Sequence, residues 1–161
     1  MGSEWEETEE IGIAEGLRAN DSAVSECQEP AVCSRCGTPF TLRKWSWKAM
    51  PKEPDDLVCP ACRRIANRYP AGYIEVKGQM LSMHHVRIVN LLREIESQMK
   101  KEQPLERIME IVPSEEHILI TTTGASIARR IGEALSRTYE GNLYLENCED
   151  EDFIRIIYRK R

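Results

Sequence analysis

Two Cys-x-x-Cys pairs, Cys33-Ser-Arg-Cys36 and Cys59-Pro-Ala-Cys62, constrain this chain more than any other feature. Two residues between thiols let the backbone turn and aim both sulfurs at one point, and four sulfurs fill the tetrahedral shell of Zn²⁺. The 22 residues between Cys36 and Cys59 are close to a zinc-ribbon spacing. The pattern predicts a four-cysteine zinc ribbon with Cys33, Cys36, Cys59 and Cys62 as ligands. A full shell leaves no site for water, so the expected zinc is structural, and its binding energy folds a segment with little core of its own. Two other chemistries compete for these cysteines. A thioredoxin-like redox pair lacks its βαβ context and leaves the second pair idle. A nucleotide deaminase could draw on Cys27-Gln28-Glu29 with Cys59 and Cys62, but Val58 stands where that signature has proline, and Cys33 and Cys36 would have no task. Cys27 and Cys148 are read as ordinary thiols, and His85 as a packed histidine on an apolar helix face.

The rest of the chain divides by composition and periodicity. Residues 1–30 hold nine acidic residues against Arg18 alone, a net −8 within a chain total of −5, so the remainder carries +3. Their few apolar positions, Ile11, Ile13 and Leu17 among them, cannot offset the entropy of ordering, and a disordered acidic tail is expected. Such a tail is a solvated arm or a cover for the protein's own basic surface. Residues 31–70 are the zinc-ribbon module and 71–161 an α/β domain. Ile74 and Val76 alternate with charged neighbours as a strand. His85, Ile88, Leu92, Ile95 and Met99 form one stripe of a long helix that Ser82 could cap. Ile108 to Val112 and Ile118 to Thr123 flank a hairpin turn at Pro113-Ser114-Glu115-Glu116. Ile127, Ile131, Ala134, Leu135 and Thr138 mark a second helix, with Gly141 placed as its left-handed cap. Leu143 to Leu145 and Phe153 to Tyr158 are the last strands, around the acidic turn 149–152. The predicted fold class is therefore α+β: the ribbon, then a two-layer β-α-β-β-α-β-β domain with helices on one face, ferredoxin-like or similar.

Charge near the cysteines points to a partner. From Arg35 to Arg68 eight basic residues face three acidic ones, a net +5, which four thiolates and one Zn²⁺ reduce to +3. A cationic surface interleaved with aromatic rings suits phosphate contact and base stacking. Arg35, Lys44, Arg63 and Arg64 are the expected phosphate contacts, Trp45 or Trp47 the stacking surface, and Arg129 with Arg130 an extension of the track. The plainer alternative has Trp45 and Trp47 covering the ribbon's small core. Thr121 to Ser126 run from a strand into the second helix, and a helix start with free N–H groups can hold a phosphate. Thr122, Thr123, Gly124 and Ser126 are the candidates. The loop lacks the Gly-Lys-Ser/Thr ending of a Walker motif, and Ser126 or Thr123 could equally be a simple cap.

Taken in order, CSRCG, WSW, CPACRRIANRYPAGYIEVKG, PLERIMEI, ITTT and ARRIGEAL resemble the small prokaryotic proteins of the NMD family. These are related to the adaptor for large-ribosomal-subunit export and are described as affecting ribosome stability and mRNA decay. The resemblance covers residues 31–161. It implies a zinc-binding N-terminal module joined to an α/β module, with the ribosome or ribosomal RNA as partner. Cys33, Cys36, Cys59 and Cys62 fall on the family's metal ligands, and Arg129, Arg130 and Gly132 on its Ala-Arg-Arg-Ile-Gly helix. Gly124 and Ala125 depart from the Asp and His that relatives often carry there. The long downstream domains of the export adaptor have no counterpart, so export is not implied.

The expected function is a non-enzymatic zinc-ribbon protein that binds RNA, on the ribosome, in ribosome stability or inactivity under stress. The alternatives are a protein–protein adaptor using the ribbon and sheet, and a small enzyme acting on a phosphorylated ligand at the Thr-Thr-Thr-Gly loop. A cytoplasmic location with no membrane partner is expected, because no apolar run reaches the roughly 20 residues of a bilayer span and no secretory segment opens the chain; no DNA partner is expected.

Overall fold

The computed structural model describes residues 30–48, 50–78, 81–147 and 153–160. The expected acidic tail before Pro30, both Cys27 and Cys148, and the acidic turn 149–152 lie outside the described residues. The architecture is α+β, with two mixed sheets and three helices among the described residues.

The first sheet is built from very short strands: β1 (Ala31–Cys33), β2 (Pro39–Thr41), β3 (Lys44–Trp45) and β4 (Asp55–Leu57), in the order β3-β2-β1-β4. β1 pairs antiparallel with β2 and parallel with β4. Helix α1 (Pro60–Asn67) follows at once. Pro60 suits its first turn, where no N–H is needed, and the Cys59 sulfur accepts the Cys62 N–H as an N-cap. The buried residues are Ala31, Cys33, Phe40, Trp45, Cys59, Ala61 and Cys62, with the Phe40 and Trp45 rings 4.9 Å apart. Three of these seven are cysteines, too little apolar volume for an independent core.

The second sheet holds β5 (Gly72–Lys77), β6 (Ile108–Pro113), β7 (His117–Thr122), β8 (Gly141–Asn147) and β9 (Ile154–Lys160). Its order is β6-β7-β5-β9-β8. Helix α2 (Leu81–Glu102) connects β5 to β6, and α3 (Ala125–Thr138) connects β7 to β8. The element order β-α-β-β-α-β-β is the one expected. β7 lies antiparallel between β5 and β6, which is a split βαβ unit. The closing hairpin departs from a four-stranded ferredoxin-like sheet. β9 inserts beside β5 in parallel, with Ile74 opposite Ile156, and β8 takes the edge.

Alternation sets which face is covered. Ile74, Val76, Ile118, Ile120, Ile154, Ile156 and Tyr158 point to the helices and are buried. Against them pack Ile88, Leu92, Ile95 and Met99 of α2 and Ile127, Ile131 and Leu135 of α3. Each such side chain contributes about 1.5–3 kcal/mol by leaving water. α2 already starts at Leu81, so Ser82 lies within the helix rather than ahead of it at a capping position. His85 is only half-buried, and Leu81 takes the buried place at the head of the stripe. Thr138 is exposed, and Ala128 and Gly132 face the core instead. On the opposite face, Tyr73, Glu75, Leu119 and Ile157 are half-buried, and no helix of the described residues covers them.

Gly141 does not cap α3. Tyr139 ends that helix in extended geometry, its N–H reaching the Leu135 carbonyl at 2.9 Å. Gly141 opens β8 directly against Tyr158, where a Cβ would come within 2.5 Å of the phenol oxygen. That hydroxyl donates to the Tyr139 carbonyl. Close approach, rather than a left-handed turn, explains this glycine.

Candidate metal centre

Cys33 ends β1, Cys36 lies in the turn that follows, Cys59 caps α1 and Cys62 lies in its first turn. Gly37, at φ 76°, and a Gly37 N–H to Cys33 carbonyl bond of 2.8 Å fold the first pair into a knuckle. The four sulfurs lie within 4.8 Å of one another, and Cys36 and Cys59 are 3.7 Å apart. Sulfurs bonded at about 2.3 Å to a tetrahedral ion stand about 3.8 Å apart, so the arrangement suits a metal ion. Backbone donors already point at it: the Cys59 N–H reaches the Cys33 sulfur at 3.3 Å and the Cys62 N–H the Cys59 sulfur at 3.4 Å. Such N–H···S bonds favour thiolate.

A residue from the second sheet completes the cluster. Arg107, just before β6, is 6% exposed and brings its guanidinium against three of the four sulfurs. Nη2 donates to Cys36 at 3.1 Å and lies 3.9 Å from Cys59, Nη1 donates to Cys62 at 3.4 Å, and Nε donates to the Pro104 carbonyl at 2.8 Å. Burial opposes ionisation of Cys36, but the Thr38 hydroxyl at 3.0 Å and the Arg107 guanidinium outweigh it and lower its pKa to about 6. Burial raises Cys59, and repulsion from the neighbouring Cys36 sulfur adds to the effect. Cys62 is raised by burial as well. Burial would lower Arg107, yet the Cys36 sulfur holds it above the usual arginine value. A divalent cation would stabilise four thiolates together and release protons as it binds.

Arg107 carried no signal in the sequence. A charged residue between Pro104 and an apolar strand reads as surface, and only the approach of the segment after α2 to the cysteine cluster buries it. Neighbouring Glu106 was equally silent. Its carboxylate accepts the Ile127 N–H at 2.9 Å, at the start of α3. The N-cap residue, Gly124, makes no side-chain cap bond, and a Cβ there would overlap the Glu106 carboxylate. The expected phosphate site is thus filled by the protein's own anion. Thr122 donates to the Gly124 carbonyl at 2.8 Å, and Thr123 donates to the Leu105 carbonyl and accepts the Arg107 N–H at 2.8 Å. Both threonines are buried, and Ser126 is exposed without capping the helix. Thr122, Thr123 and Gly124 therefore build a corner of the fold, and Ser126 stands outside it.

The other candidates separate. Arg35 and Arg63 line one open groove of about 380 Å³ with Ser34, Asp56 and Asn67. Lys44 is exposed on β3, and Arg129 and Arg130 are exposed on α3, where Arg130 also reaches the Met99 sulfur at 3.5 Å. Arg64 is half-buried, donates to the Tyr69 carbonyl at 3.4 Å and faces Glu106. Trp45 is 7% exposed and packs on Phe40, so it belongs to the core and offers no stacking surface. Trp47 is 43% exposed, with its indole N–H bonded to the Lys100 carbonyl at 2.8 Å near the end of α2. No helix of the described residues is long and apolar enough to cross a membrane. The chain matches no protein family, no curated protein and no solved structure.

Proposed function

We propose that this chain is a non-enzymatic, RNA-binding protein of the ribosome whose first sheet is shaped by a four-cysteine zinc site. The observation that carries the reading is the convergence of four sulfurs beside a groove bearing Arg35 and Arg63. Four thiolates suit Zn²⁺ and leave no open coordination position, so the ion's task is to hold shape. The groove offers two guanidiniums, which match phosphate oxygens in a bidentate way. Lys44, Arg129 and Arg130 supply further exposed cations, and half-exposed Trp47 is the aromatic surface left for a base. The resemblance to the NMD family favours ribosomal RNA and a role in ribosome stability or inactivity, in the cytoplasm.

Co-sedimentation with ribosomes tests this reading. Binding should fall steeply between about 50 and 200 mM salt, as phosphate contacts do, and Arg35→Glu with Arg63→Glu should abolish it while metal content stays at one zinc per chain. Binding that ignores salt and both substitutions overturns it. Removing residues 1–30, with their net −8, should strengthen binding if that segment shields the cations. A protein–protein adaptor is the second reading, favoured by the uncovered face of the second sheet, where Val112 and Tyr144 are 44% and 52% exposed. Salt-insensitive capture of a protein would support it.

A further inference from the structure

Among the described residues, a buried charged contact joins the two sheets through the cysteine cluster. Arg107 is rooted in the second sheet: its N–H donates to the Thr123 hydroxyl at 2.8 Å, and its carbonyl accepts the Thr123 N–H at 2.9 Å. Its side chain ends in the first sheet, on the sulfurs of Cys36, Cys59 and Cys62. Other links join the same two regions, and half-buried Arg64 of α1 faces Glu106. Leu105 packs against the first cluster, and the Trp47 bond to Lys100 is exposed to competing water. A guanidinium buried this deeply needs negative charge and fixed acceptors beside it. Four thiolates around a divalent ion supply both, as a rigid facet with net charge −2.

We propose that Arg107 makes the metal centre the joint between the two sheets, so that binding of the ion and docking of the second sheet stabilise each other. The inference rests on the zinc reading of the four cysteines and adds a role for a residue that is no ligand. Linkage is reciprocal: whatever the ion contributes to docking through Arg107, Arg107 contributes to ion affinity. Partners outside a metal's ligand shell set affinity by about 10- to 100-fold. A zinc site confined to the first sheet would show no such dependence.

Hydrogen exchange on the full chain, with and without zinc, provides the test. Removing zinc with a chelator should speed exchange on the order of tenfold at Arg107 and Thr123, amides of the second sheet far in sequence from any ligand. The amides of Ile74 and Ile120, deep in the second core, should keep their protection. Competition with a chromophoric chelator should show zinc held about 10- to 100-fold more weakly by Arg107→Met. Arg107→Lys, which keeps the charge and loses the fork, should fall between. Exchange changes restricted to residues 31–62, with Arg107→Met holding zinc as tightly as the parent, overturn the joint and leave the zinc reading intact. A parent chain that takes up no zinc overturns both. Should Arg107→Met fail to fold, the exchange comparison on the parent chain and the Arg107→Lys affinity still decide.

Discussion

The two sheets solve the same problem by opposite means. The second buries seventeen side chains, nearly all aliphatic, between five strands and two long helices. The first buries seven, three of them cysteines, among strands of two or three residues. Where apolar area suffices, packing specifies the fold and the charged groups stay outside. Where it does not, the chain gathers donors around a point and brings a buried arginine to them. An interior of sulfur and guanidinium answers to metal and redox conditions, whereas one of isoleucine and leucine answers to temperature and denaturant.

Removing one sulfur should break the comparison most severely. Cys59→Ser keeps an N-cap for α1 while deleting a donor, so it separates the cap from the metal. Ion binding in small sulfur sites contributes on the order of 10 kcal/mol to folding, and of the seven buried side chains only Phe40 and Trp45 are large apolar groups that could offset its loss. The expected outcome is loss of bound zinc and of amide protection over residues 31–62, with the circular dichroism of α2 and α3 retained. A variant that keeps the first sheet protected would show that packing alone holds it. The converse change is Leu92→Ala, at a fully buried position of the second core. It should cost about 2–5 kcal/mol, read as a lower denaturation midpoint, with zinc content unchanged.

What the sequence revealed follows the same division. The four cysteines were legible because metal geometry demands a fixed local spacing, and the stripes of α2 and α3 because burial imprints a period of about 3.6. The order of the second domain's elements followed from those patterns. The insertion of β9 between β5 and β8 did not, because strand neighbours are chosen by long-range pairing that leaves no local trace. Arg107 and Glu106 were hidden for a related reason: each is an ordinary charged residue until the chain returns on itself. The Thr-Thr-Thr-Gly loop misled in an instructive way. Its composition does mark an anion site at a helix start, but the anion is Glu106, supplied from the far side of the β6-β7 hairpin rather than from the residue just before the helix, where a local cap is sought.

A smaller effect should come from the turn between β2 and β3. Leu42 and Arg43 both hold positive φ, 53° and 58°, and Leu42 is 91% exposed. A two-residue hairpin turn of this hand favours Asn-Gly, and non-glycine residues there cost about 1 kcal/mol or more each. Leu42→Asn with Arg43→Gly should stabilise the first sheet by about 1 kcal/mol. The measurement is the chelator concentration needed to release its amides. No change in the second core should accompany it.

The finest test concerns Glu106, where the two sheets' charges meet. Burial raises its pKa above the usual glutamate value, against the Ile127 N–H and the Arg64 cation, which both lower it. A carboxyl raised on folding adds stability below its unfolded pKa, and that contribution is lost as pH climbs through the folded value. The folded protein should thus lose stability relative to a Glu106→Gln variant as pH rises from the ordinary glutamate value through the raised folded one. Glutamine keeps an oxygen for the Ile127 N–H and does not titrate. The difference should be small, because water reaches part of the carboxylate and screens it. Denaturation midpoints of both proteins across that range measure it. A gap that narrows with rising pH would mean that Arg64 and the helix start stabilise the ionised form more than burial opposes it, and that this corner resembles the cysteine cluster, with its charges compensated, more than the apolar core beside it.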